Sequence, residues 1–131
     1  MELQDAEKFL KENGIKFMMA QFVDIHGAAK TKVVPSSHLE DIVTEGAGFA
    51  GAAIWGMNQH PQSPDFMAKA DLSTLCLVPW MRGFARVVCV GHVNDKPYHY
   101  DSRYTLQRQI EVLKQRGWTM NTGIEPAMNL L

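Results

Sequence analysis

Glu125 is the only carboxylate in the apolar closing stretch "TGIEPAMNLL", residues 122–131. An extended apolar segment seldom carries a charge without a partner. Its neighbours, Gly123-Ile124 and Pro126-Ala127, by themselves allow a bland reading, an exposed charge near a chain end. The second stretch with chemical content is "GFAGAAIWG", residues 48–56. Its small residues, among them Ala50, Gly51 and Ala53, let a backbone come close to something. Two readings stay open there. One is tight packing against a sheet; the other is the wall of a binding pocket with Trp55 as an apolar lid.

The remaining chemistry-bearing residues form no motif. His26, His38, His60, His92 and His99 make no His-x-x-His or His-Glu-x-x-His pair and read as surface or turn residues. Neither a glycine-rich phosphate loop nor a Gly-x-Ser-x-Gly elbow is present. Cys76 and Cys89 lie in apolar stretches and read as two buried free thiols.

Around these residues the hydrophobic pattern predicts an α+β order of elements. A helix over 2–13 has Leu3, Ala6, Phe9 and Leu10 on one face and stops at Asn13-Gly14. Strands over 15–27 and 28–35 join through a turn at His26-Gly27, with Thr31 and Val33 facing one way and Lys30 and Lys32 the other. A helix over 36–46 starts with a capping box, Ser37 and Glu40. Residues 47–71 read as one long loop, uncommon in a compact domain and often functional. Strands follow at 72–80 and 84–93, the second buried on both faces. After a turn at "NDKP" comes a helix over 101–117, capped by Asp101 or Ser102, with Leu106, Ile110 and Leu113 inward. Residues 118–131 return to extended structure. The whole suggests a mixed or antiparallel sheet packed with helices.

Composition narrows the function classes. Lys and Arg number 13 against 14 Asp and Glu, interspersed, which suggests neither a nucleic-acid surface nor a polybasic membrane patch. No apolar run is long enough to span a bilayer, and the acidic amphipathic N-terminus is unlike a signal peptide, so the cytoplasm is the expected location.

Five segments in order resemble the N-terminal part of glutamine synthetase, over essentially the whole chain. "FVDIHGAAKTKVVP" resembles the family's opening hairpin, an Asp-x-x-Gly turn with a basic strand and a proline. "GFAGAAI" stands where the family usually has Phe-Asp-Gly-Ser-Ser-Ile. "SPDFMAKADLSTLCLVPW" resembles the Ser-Asp-Met, Pro-Asp and Thr pattern leading into the next strand. "DSRYTLQRQIEVLKQRGW" is similar to the helix joining the two domains, and "TGIEPAMNLL" to Gly-x-Glu-Pro-Glu-Phe, the first strand of the catalytic domain.

The resemblance implies a β-grasp-like mixed sheet packed with helices over residues 1–100. It makes residues 101–131 a connecting helix and the first strand of a truncated catalytic domain. It implies an ATP-dependent glutamate–amine ligase that forms γ-glutamyl phosphate with Mg²⁺ or Mn²⁺. Its active sites would form between neighbouring subunits of a homo-oligomeric ring. Glu125 matches a metal ligand, while the next ligand position is Ala127 and most others are absent. Ala50 and Ala53 replace the Asp and second Ser that handle ammonium, a pattern similar to the branch of type III-like glutamine synthetases and γ-glutamylmethylamide synthetases. The implied partners are glutamate, ATP and ammonia or a small alkylamine. An inactive relative and a stand-alone β-grasp interaction module are the alternatives.

Overall fold

A computed structural model describes residues 1–128. Helix α1 (Leu3–Glu12) buries Ala6 and Leu10 and ends as expected, with Asn13 donating from Nδ2 to the Phe9 carbonyl at 2.8 Å. Strands β1 (Phe17–Val23) and β2 (Ala29–Pro35) form the expected antiparallel hairpin. Their register puts Lys30 and Lys32 opposite buried Phe22 and Ala20, while Thr31 opposes Gln21 on the other face. The two lysines therefore lean over the core side of an edge strand, where charges discourage edge-to-edge pairing.

A 3₁₀ turn (Ser36–His38) leads into α2 (Leu39–Thr44), which buries Leu39 and Ile42. The expected capping box does not form. The cap position is His38, with no side-chain cap bond, because the chain enters through the 3₁₀ turn and the helix starts later than Ser37 requires. Instead Ser36 ties the entry down, its hydroxyl donating to the Ile15 carbonyl at 2.9 Å.

The expected loop over 47–71 is shorter and more ordered than its composition suggests. It begins with strand β3 (Ala47–Phe49) and ends where β4 (Phe66–Leu77) starts, six residues earlier than the predicted strand at Leu72. Glycine and alanine hid the period, since Ala68 and Ala70 occupy inward positions that larger residues usually mark. A bulge between Asp71 and Cys76 interrupts β4. There the Thr74 hydroxyl replaces a ladder partner, accepting from the Val88 N–H at 2.8 Å.

Strand β5 (Phe84–Val93) buries Ala85, Val87, Cys89 and Gly91 on one face only; its other face is half covered, and Arg86 is exposed. The expectation of burial on both faces is thus corrected. β6 (Lys96–Pro97) folds back on β5 through Asn94 and Asp95, both at positive φ, as a tight hairpin turn demands. The sheet runs β2-β1-β5-β4-β3, with β1 and β5 parallel and the other pairs antiparallel. α1 and α2 supply Ala6, Leu10, Leu39 and Ile42 to the core against Met18, Phe22, Phe66 and Val87. This is the mixed sheet packed with helices that the sequence predicts.

Both cysteines are free, but only Cys89 is buried; Cys76 is half-exposed. Burial pushes the Cys89 thiol up to about 12, which leaves it a neutral, inert packing group. Helix α3 (Ser102–Gln115) is capped by Asp101, whose Oδ2 accepts from the Tyr104 N–H at 2.8 Å. Its orientation is a second correction. Leu106 and Ile110 are exposed and Leu113 is only half covered, while Arg103, Tyr104, Gln107 and Arg108 are the other half-covered residues. Arg103 anchors this side on Asp71 at 2.6 Å. Periodicity finds an apolar face but not what covers it. Residues 118–128 join no helix or strand and are exposed, because a strand needs a neighbour to close its hydrogen bonds and the described chain offers none. The end of the expected terminal strand, 129–131, lies outside the described residues.

Gly91 passes under Phe66, and a Cβ there would stand 2.0 Å from the Phe66 ring and 3.2 Å from the Asp101 Cβ. Gly91→Ala is expected to destabilise the fold by about 1–3 kcal/mol through overpacking, read as a lower urea midpoint at unchanged slope.

Candidate functional site

The segment between β3 and β4 is held at both ends and in the middle. Phe49 and Phe66 face each other as the last rung of the β3–β4 ladder, and both rings pack on Phe22. In the middle Met57 is buried, and the Tyr98 hydroxyl donates to its carbonyl at 2.5 Å. Burial, together with the nearby Tyr100, pushes the Tyr98 phenol up, so it stays protonated as a donor. Asn58, at φ 48, donates from Nδ2 to the Tyr100 hydroxyl at 3.0 Å.

Within this frame Gly51–Ala53 make a 3₁₀ turn, closed by Ala53 N–H to the Ala50 carbonyl at 2.9 Å and Ile54 N–H to the Gly51 carbonyl at 3.0 Å. Gly51 is the fixed point. A Cβ there would lie 1.5 Å from Gln59 Oε1, and Gln59 is needed where it is, donating from Nε2 to the Pro64 carbonyl at 2.7 Å. Among the described residues Gln59 Oε1 is buried without a partner. The small-residue stretch therefore does two jobs: Gly51 packs, and the alanines line open space.

Two hollows flank the turn. One, of about 370 Å³, is lined by Ala50–Ala53 on one side and by His60, Ser63, Pro64 and Asp65 on the other. The second, of about 590 Å³, lies between Ala53, Trp55, Gln59 and Tyr100. Both are the size of a small-ligand site. Ala50, Gly51 and Ala53 thus come together around the first hollow, whereas Trp55 is 78 % exposed and belongs to the second. Its indole stands edge-on to the His26 ring at 6.0 Å. The sequence offers no signal for His60 as part of the hollow, and the stretch holding Asp65 reads only as a motif leading into a strand; the β3–β4 pairing brings both opposite Ala50–Ala53.

The hairpin turn backs this loop. Asp24, 5 % exposed, accepts at Oδ1 from the His26 and Ala28 N–H groups, both at 2.9 Å, and meets Lys30 Nζ at 3.1 Å through Oδ2. Gly27 takes a positive φ beside it, as the Asp-x-x-Gly spacing requires. Ile25 on this turn packs directly beneath Gly56. Glu125, by contrast, is remote from any cluster. It is exposed, and among the described residues no three His, Cys, Asp or Glu side chains converge to hold a metal. A hard divalent ion needs several oxygens, so the described residues alone do not fit one.

Comparison with known proteins gives the class. The glutamine synthetase β-grasp domain family matches residues 14–92, and the chain belongs to the glutamine synthetase family. It is 54 % identical over 132 residues to a glutamate–methylamine ligase of Methyloversatilis universalis, a match that covers 100 % of this chain and 30 % of the ligase. A glutamine synthetase of Rhizobium meliloti is 32 % identical over 97 % of this chain and 29 % of its own length. A solved structure described as a GmaS/ADP complex superposes with a TM-score of 0.81 at 27 % identity, covering 87 % of this chain and 26 % of that one. The chain therefore spans about 30 % of the length of the ligases it matches. No helix among the described residues is long and apolar enough to cross a membrane.

Burial alone would raise the Asp24 carboxyl, but its backbone hydrogen bonds and Lys30 outweigh this and hold it below the ordinary 3.8. Its contribution to stability is then complete above the unfolded-state value and is lost as pH falls through the lower folded-state value. Asp24→Asn is expected to lower the thermal midpoint at neutral pH, with the gap from wild type closing below about pH 4. A gap that stays constant down to pH 2 would show that the charge is irrelevant.

Proposed function

We propose that this chain is the N-terminal part of an ATP-dependent glutamate–amine ligase, and that the hollow over Ala50–Ala53 receives the amine. The observation that carries this reading is the hollow itself. It is lined by methyl groups at the two positions where the resembled family places an Asp and a Ser. The likeness to a glutamate–methylamine ligase supports the same direction. The hollow is open on one side, as befits one wall of a site completed by a neighbouring subunit of a homo-oligomeric ring. The reaction joins the amine to the γ-carboxylate of glutamate after ATP activates it, with a divalent ion supplying charge neutralisation for the phosphates. In the complete enzyme Glu125 would give one oxygen ligand to that ion, and Ala127 none, the rest coming from outside residues 1–131.

Within this chain the chemistry is selective binding. Ala50 and Ala53 remove polar groups that would hold NH₄⁺ and leave room for a substituent. Each methylene-sized group moved from water into apolar space gains about 0.8 kcal/mol, which favours methylamine over ammonium by roughly fourfold. Residues 101–131 are proposed as the connection into the catalytic domain, and Leu106 and Ile110, exposed on α3, suit a helix that packs on something further. The proposed setting is cytoplasmic nitrogen metabolism.

The test is a coupled ATPase assay on the full-length protein that carries this segment, with glutamate, Mg²⁺ or Mn²⁺, and either amine. Methylamine is expected to give the higher kcat/KM. Ala50→Asp combined with Ala53→Ser should swing the ratio toward ammonium by about tenfold, the size of one charge-assisted hydrogen bond. A ratio that does not move would remove the pocket from the amine's path. The 131-residue chain on its own is expected to be silent. Glutamate-dependent ATP hydrolysis by it would overturn the partial-site reading.

A further inference from the structure

The hollow keeps a carboxylate that the alanine at position 50 does not remove. β3 and β4 pair as Ala47↔Ala68, Gly48↔Met67 and Phe49↔Phe66. One step beyond the last rung, Ala50 and Asp65 are the next opposed positions, and both line the hollow. Opposed residues in an antiparallel pair have Cβ atoms about 4.5–5.5 Å apart. Phe49 and Phe66 turn to the core, so Gly48, Ala50, Asp65 and Met67 alternate onto the other face.

The Asp65 carboxylate leans toward β3. Its Oδ2 lies 3.7 Å from the place a Cβ would take on Gly48, an ordinary contact distance. Its backbone is held from both sides, by Gln59 on the Pro64 carbonyl at 2.7 Å and by fully buried Phe66. The charge is also free. The ion pairs among the described residues use Glu12, Asp24, Asp41, Asp71 and Asp95, and none uses Asp65. Lys32, the cation near this edge, is bound to the Gly48 carbonyl at 2.6 Å and stands over the Phe49 ring.

Resting on the ligase reading above, we infer that Asp65 is the residue that binds the amine, as an alkylammonium ion. A primary alkylamine, like a lysine side chain, is cationic at neutral pH, and an N–H⁺ group pairs strongly with a carboxylate. Asp65 reads the charge from one wall, and Ala50 and Ala53 accept the alkyl group on the other. Together they divide recognition of a small primary amine between the two sides of the hollow. No bond to carbon is made or broken at Asp65; it holds the cation in place before the proton leaves.

Asp65→Asn keeps the shape and removes the charge. In the full-length enzyme it is expected to raise KM for methylamine at least tenfold, with kcat and the KM for glutamate and ATP changed less than twofold. Asp65→Glu should recover part of the loss. An amine KM within twofold of wild type for Asp65→Asn overturns the inference and leaves the ligase reading standing. If the wild-type enzyme turns over no amine, the ligase reading fails, and the 131-residue chain decides the rest by ¹⁵N NMR with methylammonium chloride. Shifts at Ala50–Ala53 and Asp65 that vanish in Asp65→Asn sustain the cation site; their absence in wild type overturns it.

Discussion

The contact between Phe49 and Phe66 closes the base of the loop between β3 and β4, and the rest of the candidate site depends on it. Both rings pack on Phe22 from β1, at 5.0 and 4.8 Å between centroids, and Phe66 also meets Tyr98 at 6.2 Å. One aromatic cluster therefore joins the hairpin, both ends of the loop and the tyrosine that holds its middle. Rings of this size bury large apolar areas in defined geometries, so the loop starts and finishes in fixed directions. What lies between can then be built from small residues with little packing of their own. The hollow exists because the cluster, not the loop, carries the stability.

Much of the architecture was legible because it is written in strong local signals. α1 and its Asn-Gly stop, the β1–β2 hairpin around Asp24 and Gly27, and the Asp101 cap of α3 all follow from spacing and residue type. Other features depend on partners distant in sequence. The start of β4 was hidden because two of its inward positions, Ala68 and Ala70, are alanines, on a strand that packs against α2. The Ser37–Glu40 pattern was present, but Pro35 sets an entry angle that ends in a 3₁₀ turn. The apolar stripe of α3 was real and was assigned to the wrong neighbour. For the site, Ala50 and Ala53 could be singled out by comparison with the family motif. Asp65 lies in a stretch that resembles a family pattern, but its place opposite Ala50 is a property of the ladder and not of the motif.

The family membership and the hollow address different questions. Membership rests on the β-grasp domain over residues 14–92, and the chain resembles both a glutamate–methylamine ligase and glutamine synthetases. On the proposed reading, the identity of the amine is decided by a few side chains on that common frame. This division of labour is physically reasonable. A frame tied down by Asp24, Tyr98 and the phenylalanines tolerates exchange at Ala50 and Ala53, because neither alanine donates or accepts a side-chain hydrogen bond within the fold.

Gly51 limits how such a loop can diverge. Any side chain there collides with Gln59, and moving Gln59 frees the Pro64–Asp65 wall opposite. Substitution at Gly51 therefore costs Gln59 its bond to the Pro64 carbonyl, whereas the alanines on either side line open space. For anyone recombining these loops among relatives, the practical unit of exchange is the pair of strands with the whole segment from Phe49 to Phe66, because a shorter graft would separate Gly51 from the glutamine that occupies its missing side chain's place.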